Sequence, residues 1–552
     1  MIFADKKFSN PIKIIEAFDN ESFKLAFDEI EKYRKSHYLL GYIRYEAKEI
    51  FLGRQIKSGF PLLYFEVFEG YEDFVPEDLP FTEFLNPIAQ ISYDEYKKSL
   101  HEIKSLIAQG ETYQVNYTYD YAVSSGLEGL ELYQQILKNQ KTPYNAYIKN
   151  HHEEILSFSP ELFFEIEGNI IKTKPMKGTV KRGRSAEEDL QNIEFLQNDI
   201  KNRAENVMIV DLLRNDLGKI AKTGTVKVDK LFEVETHNTL HQMTSEVSAE
   251  LLPDVDFYRI FEAIFPCGSV TGAPKISTMK IIDKLEVGKR EVYCGAIGLI
   301  SPVKTVFSVP IRILQKKNTE ADYRCRVGGA IVWDSEISEE WDETLTKIKF
   351  LAQNIDFKLV ETLKIENLEL VLGDLHFKRL QNSANELGFK FNDEILKIRP
   401  QFDGMMRLLL SKDGNFEVQY LLLSESQTGK VVISKTPVNS KEKFLQYKTT
   451  YRPWYETSGQ KIKSGEIYDE IFFNEKGELT EGARTNIVLE IDDCLYTPPL
   501  ECGLLGGVLR QNMLKENKIK EKILYLSDLK SAQNVYCINS VRGIRRVEVD
   551  FD

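Results

Sequence analysis

The sequence predicts an α+β protein made of two successive domains. Short strand-like runs and stretches of helical spacing are mixed along the whole chain. At 552 residues the chain is longer than one core organises, so two or three domains are expected. The pattern also changes near residues 351–361, where an amphipathic helix gives way to a second run of strands without a Gly/Ser linker.

In chain order, Tyr38–Tyr45 and Pro61–Phe68 read as strands around one polar helix, Asn20–Lys35. Ser92–Gln109 has apolar residues at helical spacing and ends at Gly110, a residue suited to a left-handed cap. Glu111–Tyr121 reads as a strand, and Ile155–Ile171 as a hairpin turning at Glu167-Gly168-Asn169. Glu187–Asp199 and Asn202–Leu217 are helices, while Val228–Val234 and Thr239–Val247 suit strand or helix. Phe257–Ile264 is helical and enters a Gly/Pro-rich loop, Phe265–Pro274, before helix Lys275–Glu286. Strands Gly295–Ser301, Thr305–Leu314 and Arg324–Val332 follow, then helix Glu339–Asn354. The domain boundary is set between 354 and 355; beyond it strands dominate 405–500, with helices near His376–Leu387 and Leu509–Glu516. No repeat or low-complexity tract occurs.

A formal net charge of -13 argues against a protein that coats nucleic acid or acidic membranes. The six Cys are scattered, with no Cys-x-x-Cys pair, which suggests reduced thiols in a cytoplasmic protein. The first residues lack the order of a signal peptide, and no apolar run is long enough to span a bilayer.

Three stretches carry chemistry in the first half. Lys174-Pro175-Met176-Lys177-Gly178-Thr179 puts lysines at the exit of a strand-like run, where lysines are more often plain solvated charge. Glu340 and Glu343 fall on one helix face, and Glu205 lies on another helix. Such glutamates commonly form surface pairs, but two helices offering oxygens also suit a hard cation such as Mg²⁺. The third stretch is the Gly/Pro-rich loop.

Together with Val210–Leu217 and Phe265–Lys275, these stretches resemble the chorismate-utilising enzymes, and among them aminodeoxychorismate synthase component I. The resemblance implies a large domain of two antiparallel sheets packed face to face with helices outside. It implies Lys177 as nucleophile, where anthranilate synthases usually carry Ala, and Glu205, Glu340 and Glu343 around Mg²⁺. Tyr293 and Arg312 match contacts to chorismate carboxylates, and Ser269 lies in the matching loop. Gly328 and Gly329 match a stretch where bare backbone N–H groups meet substrate. Lys174 and Lys181 are expected to lower the Lys177 pKa by like-charge repulsion. Two positions depart from the pattern: Asn202 stands where relatives have another Glu, and Gln242 where anthranilate synthases have a His, leaving adjacent His241 as a catalytic candidate.

The second half carries Leu375–Leu380, Gln446–Arg452, Thr480–Asn486, Gly503–Arg510 and Ile538–Gly543. In that order they resemble the fold-type IV pyridoxal-phosphate enzymes, which include aminodeoxychorismate lyase. The resemblance implies Lys448 as the Schiff-base lysine, Glu481 on the pyridine nitrogen, and Arg379, Ser540 and the Val508 and Leu509 N–H groups on the phosphate of pyridoxal 5'-phosphate. Asn539 or Ser540 is expected to orient the group that departs. Leu509 replaces a frequent Thr, and the domain is shortened at its start and before Lys448.

The two resemblances together imply a bifunctional enzyme that aminates chorismate and then eliminates pyruvate to give 4-aminobenzoate, a folate precursor. No Gly-x-Cys-x-Gly elbow is present, so ammonia is expected from a separate glutamine amidotransferase subunit. One alternative is an anthranilate synthase fused to a transaminase, against which Lys177 argues. Another is a regulatory subunit with a decayed second half, against which Lys448, Glu481 and Arg379 argue.

Overall fold

The computed structural model describes all residues except 78, 141, 184, 237–239, 352–356, 424–428 and 552, and the side chains of 181, 186, 201 and 240. The expected boundary between 354 and 355, the first residue of the Thr239–Val247 stretch and the Lys181 side chain therefore lie outside the described residues. The chain forms two compact units. The first comprises Met1–Glu77 and Leu85–Gln353; the second comprises Asp78–Phe84 and Asn354–Asp552.

Unit 1 holds two ten-stranded sheets. One runs Gln114–Val123, Tyr323–Ile331, Ile313–Lys317, Glu153–Ser159, Tyr144–Lys149 through its middle, with antiparallel neighbours. The other runs from Met176–Lys181 through Leu240–Glu250, Ile170–Lys174, Leu162–Glu167, Lys304–Ser308, Ala296–Ile300, Tyr38–Ile43 and Leu63–Phe68 to the edge strand Lys13–Ala17. Both sheets feed one core: Ile148 and Ile155 from the first meet Leu40, Phe65, Phe164 and Phe307 from the second. Each such ring or branched side chain contributes about 1.5–3 kcal/mol when removed from water. The outer face of the first sheet is covered by helix Tyr93–Ala108, through Tyr96, Leu100 and Ile103, and by Trp341 of helix Ile337–Ile348. This is the α+β, two-sheet architecture that the sequence implies.

Local sequence explains the helices. Asn20–Tyr33 reads as polar but buries Phe23, Ala26, Phe27 and Ile30, a stripe at helical spacing. Its start is fixed by a capping box between Asp19 and Ser22. Helix Gly129–Leu137 is not among the elements expected from the sequence; it is only nine residues long, and its Gln134 and Gln135 are buried along with its apolar residues.

Two expectations are corrected. Ile155–Ile171 is not one hairpin: Glu153–Ser159 belongs to the first sheet, and only Leu162–Glu167 pairs with Ile170–Lys174 in the second. Likewise Thr305–Leu314 is two strands, Lys304–Ser308 and Ile313–Lys317, in different sheets. The breaks fall at Ser159-Pro160-Glu161 and Val309-Pro310-Ile311-Arg312. Proline suits both, because it brings no N–H to a ladder that is ending.

Unit 2 combines a four-stranded antiparallel sheet built on Leu359–Glu366, Gly404–Leu410 and Phe416–Leu421 with an eight-stranded mixed sheet. Helices Gly373–Leu387 and Val508–Lys515 lie near where they are expected, whereas Glu456–Ser464, with Ser458 as its buried residue, gives too little apolar pattern to be read. Segment Asp78–Phe84 is part of this unit. The rings of Phe81 and Phe84 lie 4.7 Å apart and each is 5.5 Å from Phe444. The Phe81 N–H donates to Glu442 at 2.8 Å, and the Lys443 N–H donates to the Phe81 carbonyl at 2.7 Å.

Candidate active sites

In unit 1 the site grows from the two points where the chain changes sheet. They are bonded to each other: the Val309 N–H donates to the Glu161 carbonyl at 3.1 Å, the Ser159 hydroxyl to the Val309 carbonyl at 2.5 Å, and the Phe158 N–H to the Arg312 carbonyl at 3.0 Å. The Cys294 N–H joins them on the Pro310 carbonyl at 3.0 Å, which brings in Tyr293. Tyr293 is buried, and burial drives its phenol well above the usual range.

Glu161 is buried and accepts a 2.6 Å hydrogen bond from the Ser269 hydroxyl. Burial pushes its carboxyl up to about 7, against the pull of Ser269 and the nearby Lys177. Lys177 reaches the same loop: its amine donates to the Ser269 carbonyl at 3.3 Å. Gly178, at φ 81°, makes the bulge that follows Lys177. A Cβ there would meet Asn202 Oδ1 at 2.9 Å and Leu196 Cδ1 at 3.0 Å, so glycine lets helix Ile200–Gly218 approach the loop closely. The long motifs at 210–217 and 265–275 are joined by Lys275 donating to Asp216 at 2.5 Å, both largely buried.

Arg312 stands apart from the other cations. Its backbone is left-handed at φ 53°, and burial lowers its pKa. Its guanidinium donates to the Gln140 side chain at 3.3 Å, and among the described residues no carboxylate pairs with it. A buried guanidinium without a counter-charge is a ready receptor for an anion.

The remaining expected residues divide. Gly328, Gly329, Glu340 and Glu343 come together: the Lys347 amine donates to the Gly328 carbonyl at 2.8 Å and pairs with Glu343 at 2.6 Å. A Cβ on Gly329 would lie 3.1 Å from Glu340 Oε2. Glu340 also accepts from the Ser335 hydroxyl at 2.6 Å. Glu205 stands on helix Ile200–Gly218, and Glu340 and Glu343 on helix Ile337–Ile348, so two helices present the expected carboxylates. His241 is fully buried with both ring nitrogens engaged, at 2.9 Å from Thr236 Oγ1 and 2.9 Å from Asp189 Oδ1. Lys174 pairs with Glu235 of strand Lys227–Thr236.

In unit 2 a cavity of about 280 Å³ is lined by Val360, Thr362, Met405, Arg407, Leu421, Lys448, Thr449 and Arg452. Burial lowers the Lys448 amine; Glu361 opposes this, while Arg379, Arg452 and Arg407 add to it, and the result is about 8. Arg379 forks onto Glu361 at 2.8 and 2.7 Å and reaches the Gly506 carbonyl at 3.1 Å. Gly506 immediately precedes Gly507, the N-cap of Val508–Lys515, so the guanidinium adjoins the uncapped Val508 and Leu509 N–H groups. His376 links the other face of Glu361, at 2.6 Å, to the Ser540 hydroxyl, at 2.9 Å. Burial raises Glu361, but Arg379 and His376 outweigh it and hold the carboxylate well below its ordinary range.

Glu481 is fully enclosed, and burial pushes it up to about 7 against Arg452 and Tyr455. It accepts from the Tyr455 hydroxyl at 3.1 Å and the Asn486 amide at 3.2 Å. The Asn539 amide donates to the Arg484 carbonyl at 3.4 Å, and its oxygen receives the Val541 and Arg542 N–H groups, so it shapes the turn beside Ser540. Reading the sequence assigns no role to Glu161, Glu361, His376 or Arg407. Pro160 beside Glu161, and an Arg between buried Met406 and Leu408 on a strand, are the available signals.

Residues 72–353 match the family model described as chorismate binding enzyme, and residues 358–549 match that for class IV amino-transferases. Aminodeoxychorismate synthase component 1 of Salmonella typhimurium is 37% identical over 263 residues, which cover 48% of this chain and 58% of that protein. The protein of the same name from Escherichia coli is 34% identical over 269 residues, covering 49% of this chain and 59% of its own length. The chain thus spans rather more than half the length of the curated relatives it matches. The crystal structure of anthranilate synthase component I from Streptococcus pneumoniae superposes with a TM-score of 0.56 at 25% identity, covering 64% of this chain and 93% of that one. On the match across 72–353, which takes in the sheet-switch site with Lys177, Ser269 and Arg312, the chain belongs to the chorismate binding enzyme family.

Proposed function

We propose that the chain makes 4-aminobenzoate in two steps: residues 1–354 aminate chorismate to 4-amino-4-deoxychorismate, and residues 355–552 eliminate pyruvate from it. The observation that carries the reading is Lys177, a strand lysine whose amine reaches the Ser269 carbonyl beside a buried carboxyl of pKa about 7. In this mechanism the Lys177 amine attacks C2 of chorismate, both ring double bonds shift along the ring, and the 4-hydroxyl departs. Ammonia then bonds to C4, both double bonds shift back, and the bond from C2 to Lys177 breaks. Glu161, protonated below about pH 7, supplies a proton to the departing hydroxyl. Arg312, without a carboxylate partner among the described residues, takes a substrate carboxylate through its planar fork.

The donor set of unit 2 suits pyridoxal 5'-phosphate. Arg379 with the start of Val508–Lys515 forms an anion cradle, Lys448 is a buried amine of pKa about 8, and Glu481 is an enclosed carboxyl. When bound, the cofactor supplies an aldehyde for an amine and a ring that takes up an electron pair from the adjacent carbon. Lys448 holds it through Nζ and then removes the C4 proton of the substrate. Arg407 and Arg452, on the cavity wall, receive the substrate's carboxylates. Loss of the enolpyruvyl oxygen from C3 completes the aromatic ring. Supplying the purified chain with chorismate, ammonium and pyridoxal phosphate should give pyruvate and 4-aminobenzoate; formation of 2-aminobenzoate would overturn the reading.

Two further outcomes test it. Glu161→Gln should lower chorismate consumption about 100-fold, the ordinary loss for one general acid, with pyruvate release from supplied 4-amino-4-deoxychorismate unchanged. The protonated carboxyl is the active form, so wild-type amination should fall as pH rises through about 7, and the variant should lack that limb.

Nitrogen supply gives the second. Five of the six Cys are buried, and burial pushes Cys267, Cys294, Cys502 and Cys537 up to about 12, the opposite of what a thiolate nucleophile needs. The chain should therefore turn over chorismate with ammonium and gain glutamine-dependent turnover only with a separate amidotransferase. Glutamine use by the chain alone, measured as glutamate release, would contradict this.

A further inference from the structure

Glu16, His151 and His152 form a cluster outside both sites. Glu16 sits on the edge strand Lys13–Ala17 of one sheet, opposite Tyr64. The two histidines form the turn between Tyr144–Lys149 and Glu153–Ser159 of the other sheet. Among the described residues this is the one group of three His, Cys, Asp or Glu whose ligand atoms all lie within 4.8 Å.

The cluster is held in place. The Asn150 side chain accepts the N–H groups of His152 and Glu153 at 2.8 and 2.9 Å, which fixes the turn. The Asn318 N–H donates to the His152 carbonyl at 3.0 Å. Rings of Phe18, Phe60 and Tyr64 stand 5.9 to 6.3 Å from the His152 ring and set its orientation. Both histidines aim Nε2 at the same Glu16 oxygen, His152 from 3.0 Å and His151 from 3.5 Å.

Two imidazoles converging on one oxygen are poorly explained by hydrogen bonding alone. A neutral ring with its proton on Nε2 accounts for the 3.0 Å contact of His152, but the 3.5 Å approach of His151 to the same oxygen is longer than an ordinary N–H···O bond. One divalent ion answers both nitrogens and the carboxylate at once. Ligands about 2.0–2.1 Å from a tetrahedral Zn²⁺ lie about 3.4 Å from one another, and the observed spacings bracket that edge. Imidazole donors favour Zn²⁺, Co²⁺ or Ni²⁺ over Mg²⁺, which prefers oxygen. The His151 side chain is 52% exposed, so the site opens to solvent and leaves room for water as the remaining ligand.

We propose that Glu16, His151 and His152 bind a divalent transition-metal ion, with Zn²⁺ the occupant, and that the ion clips the edge of one unit 1 sheet to a turn of the other. Binding the folded state alone, the ion raises the thermal stability of unit 1.

The test uses the full chain after chelator treatment, titrated with Zn²⁺, Co²⁺ or Mg²⁺ alone. Wild type should take up one more equivalent of Zn²⁺ than His151→Ala/His152→Ala, and Co²⁺ should give visible bands of tetrahedral intensity that the double variant lacks. Zn²⁺, but not Mg²⁺, should raise the wild-type melting temperature more than the variant's. Glu16→Gln should weaken uptake at least ten-fold. Ammonium-dependent chorismate turnover, unchanged in each variant, reports that unit 1 is folded, and exposed His151→Ala serves alone if the double variant is not. Equal Zn²⁺ uptake by wild type and variants, or no uptake by wild type at micromolar Zn²⁺, would overturn the proposal.

Discussion

Lys448→Ala should stop pyruvate release from 4-amino-4-deoxychorismate, by about 10³-fold or more, and leave amination of chorismate intact. The expectation rests on the surroundings of the amine. Burial and three arginines bring Lys448 down to about 8, so a useful fraction is uncharged near neutral pH and able both to bond to an aldehyde and to accept a proton. No other lysine lines the 280 Å³ cavity among the described residues. The substitution Lys448→Arg keeps bulk and charge, but a guanidinium stays protonated, so this variant should fail equally. With chorismate and ammonium supplied, the Ala variant should accumulate the aminated intermediate, seen by chromatography, and lose the visible absorbance of lysine-bound cofactor. Pyruvate release at the wild-type rate would refute the role.

Lys177→Ala is the mirror experiment. It should cut formation of 4-amino-4-deoxychorismate by about 10³-fold, with pyruvate release from added intermediate unchanged. The side chain is half-buried and bonded to one backbone carbonyl, and the buried Glu161 left without it can take up a proton, so its removal should cost the fold little. Glu161 then loses the nearby cation that helps draw its pKa down, so its carboxyl should titrate above about 7 in the variant. That shift, followed by carboxyl NMR or infrared difference spectroscopy, gives a readout separate from turnover. Unchanged synthesis by the variant would end the nucleophile assignment.

The pattern of legibility in the sequence has a physical reason. Lys177, Ser269 and Lys448 sit in local stretches whose spacing survives as a short string. Glu161 does not: its partners are Ser269 and Lys177, and it meets them only because two strands switch sheets side by side. Pro160 and Pro310 mark those switches, but periodicity reads straight through them and joins each pair of strands into one element. Glu361 and His376 are visible as letters yet not as a relay from Arg379 to Ser540, since that relay joins a strand, a helix and a distant turn. The glutamates divide in the same way. Shared helix faces make Glu340 and Glu343 legible as neighbours from spacing alone, whereas Glu205 is tied to them only through the family resemblance.

The short segment Asp78–Phe84 bears on how such a chain is made and inherited. It leaves the ribosome well before Phe444 and Glu442, so its phenyl rings must wait through the synthesis of unit 1 before their own pocket exists. A cut or recombination break near 354 would not deliver two whole parts; it would strip Phe81 and Phe84 from the second and leave Phe444 with Phe357 and Tyr451 as its ring neighbours. The polypeptide crosses between the units at 77–78, 84–85 and 353–354, so its continuity is a condition of packing and not only a convenience of joining two reactions.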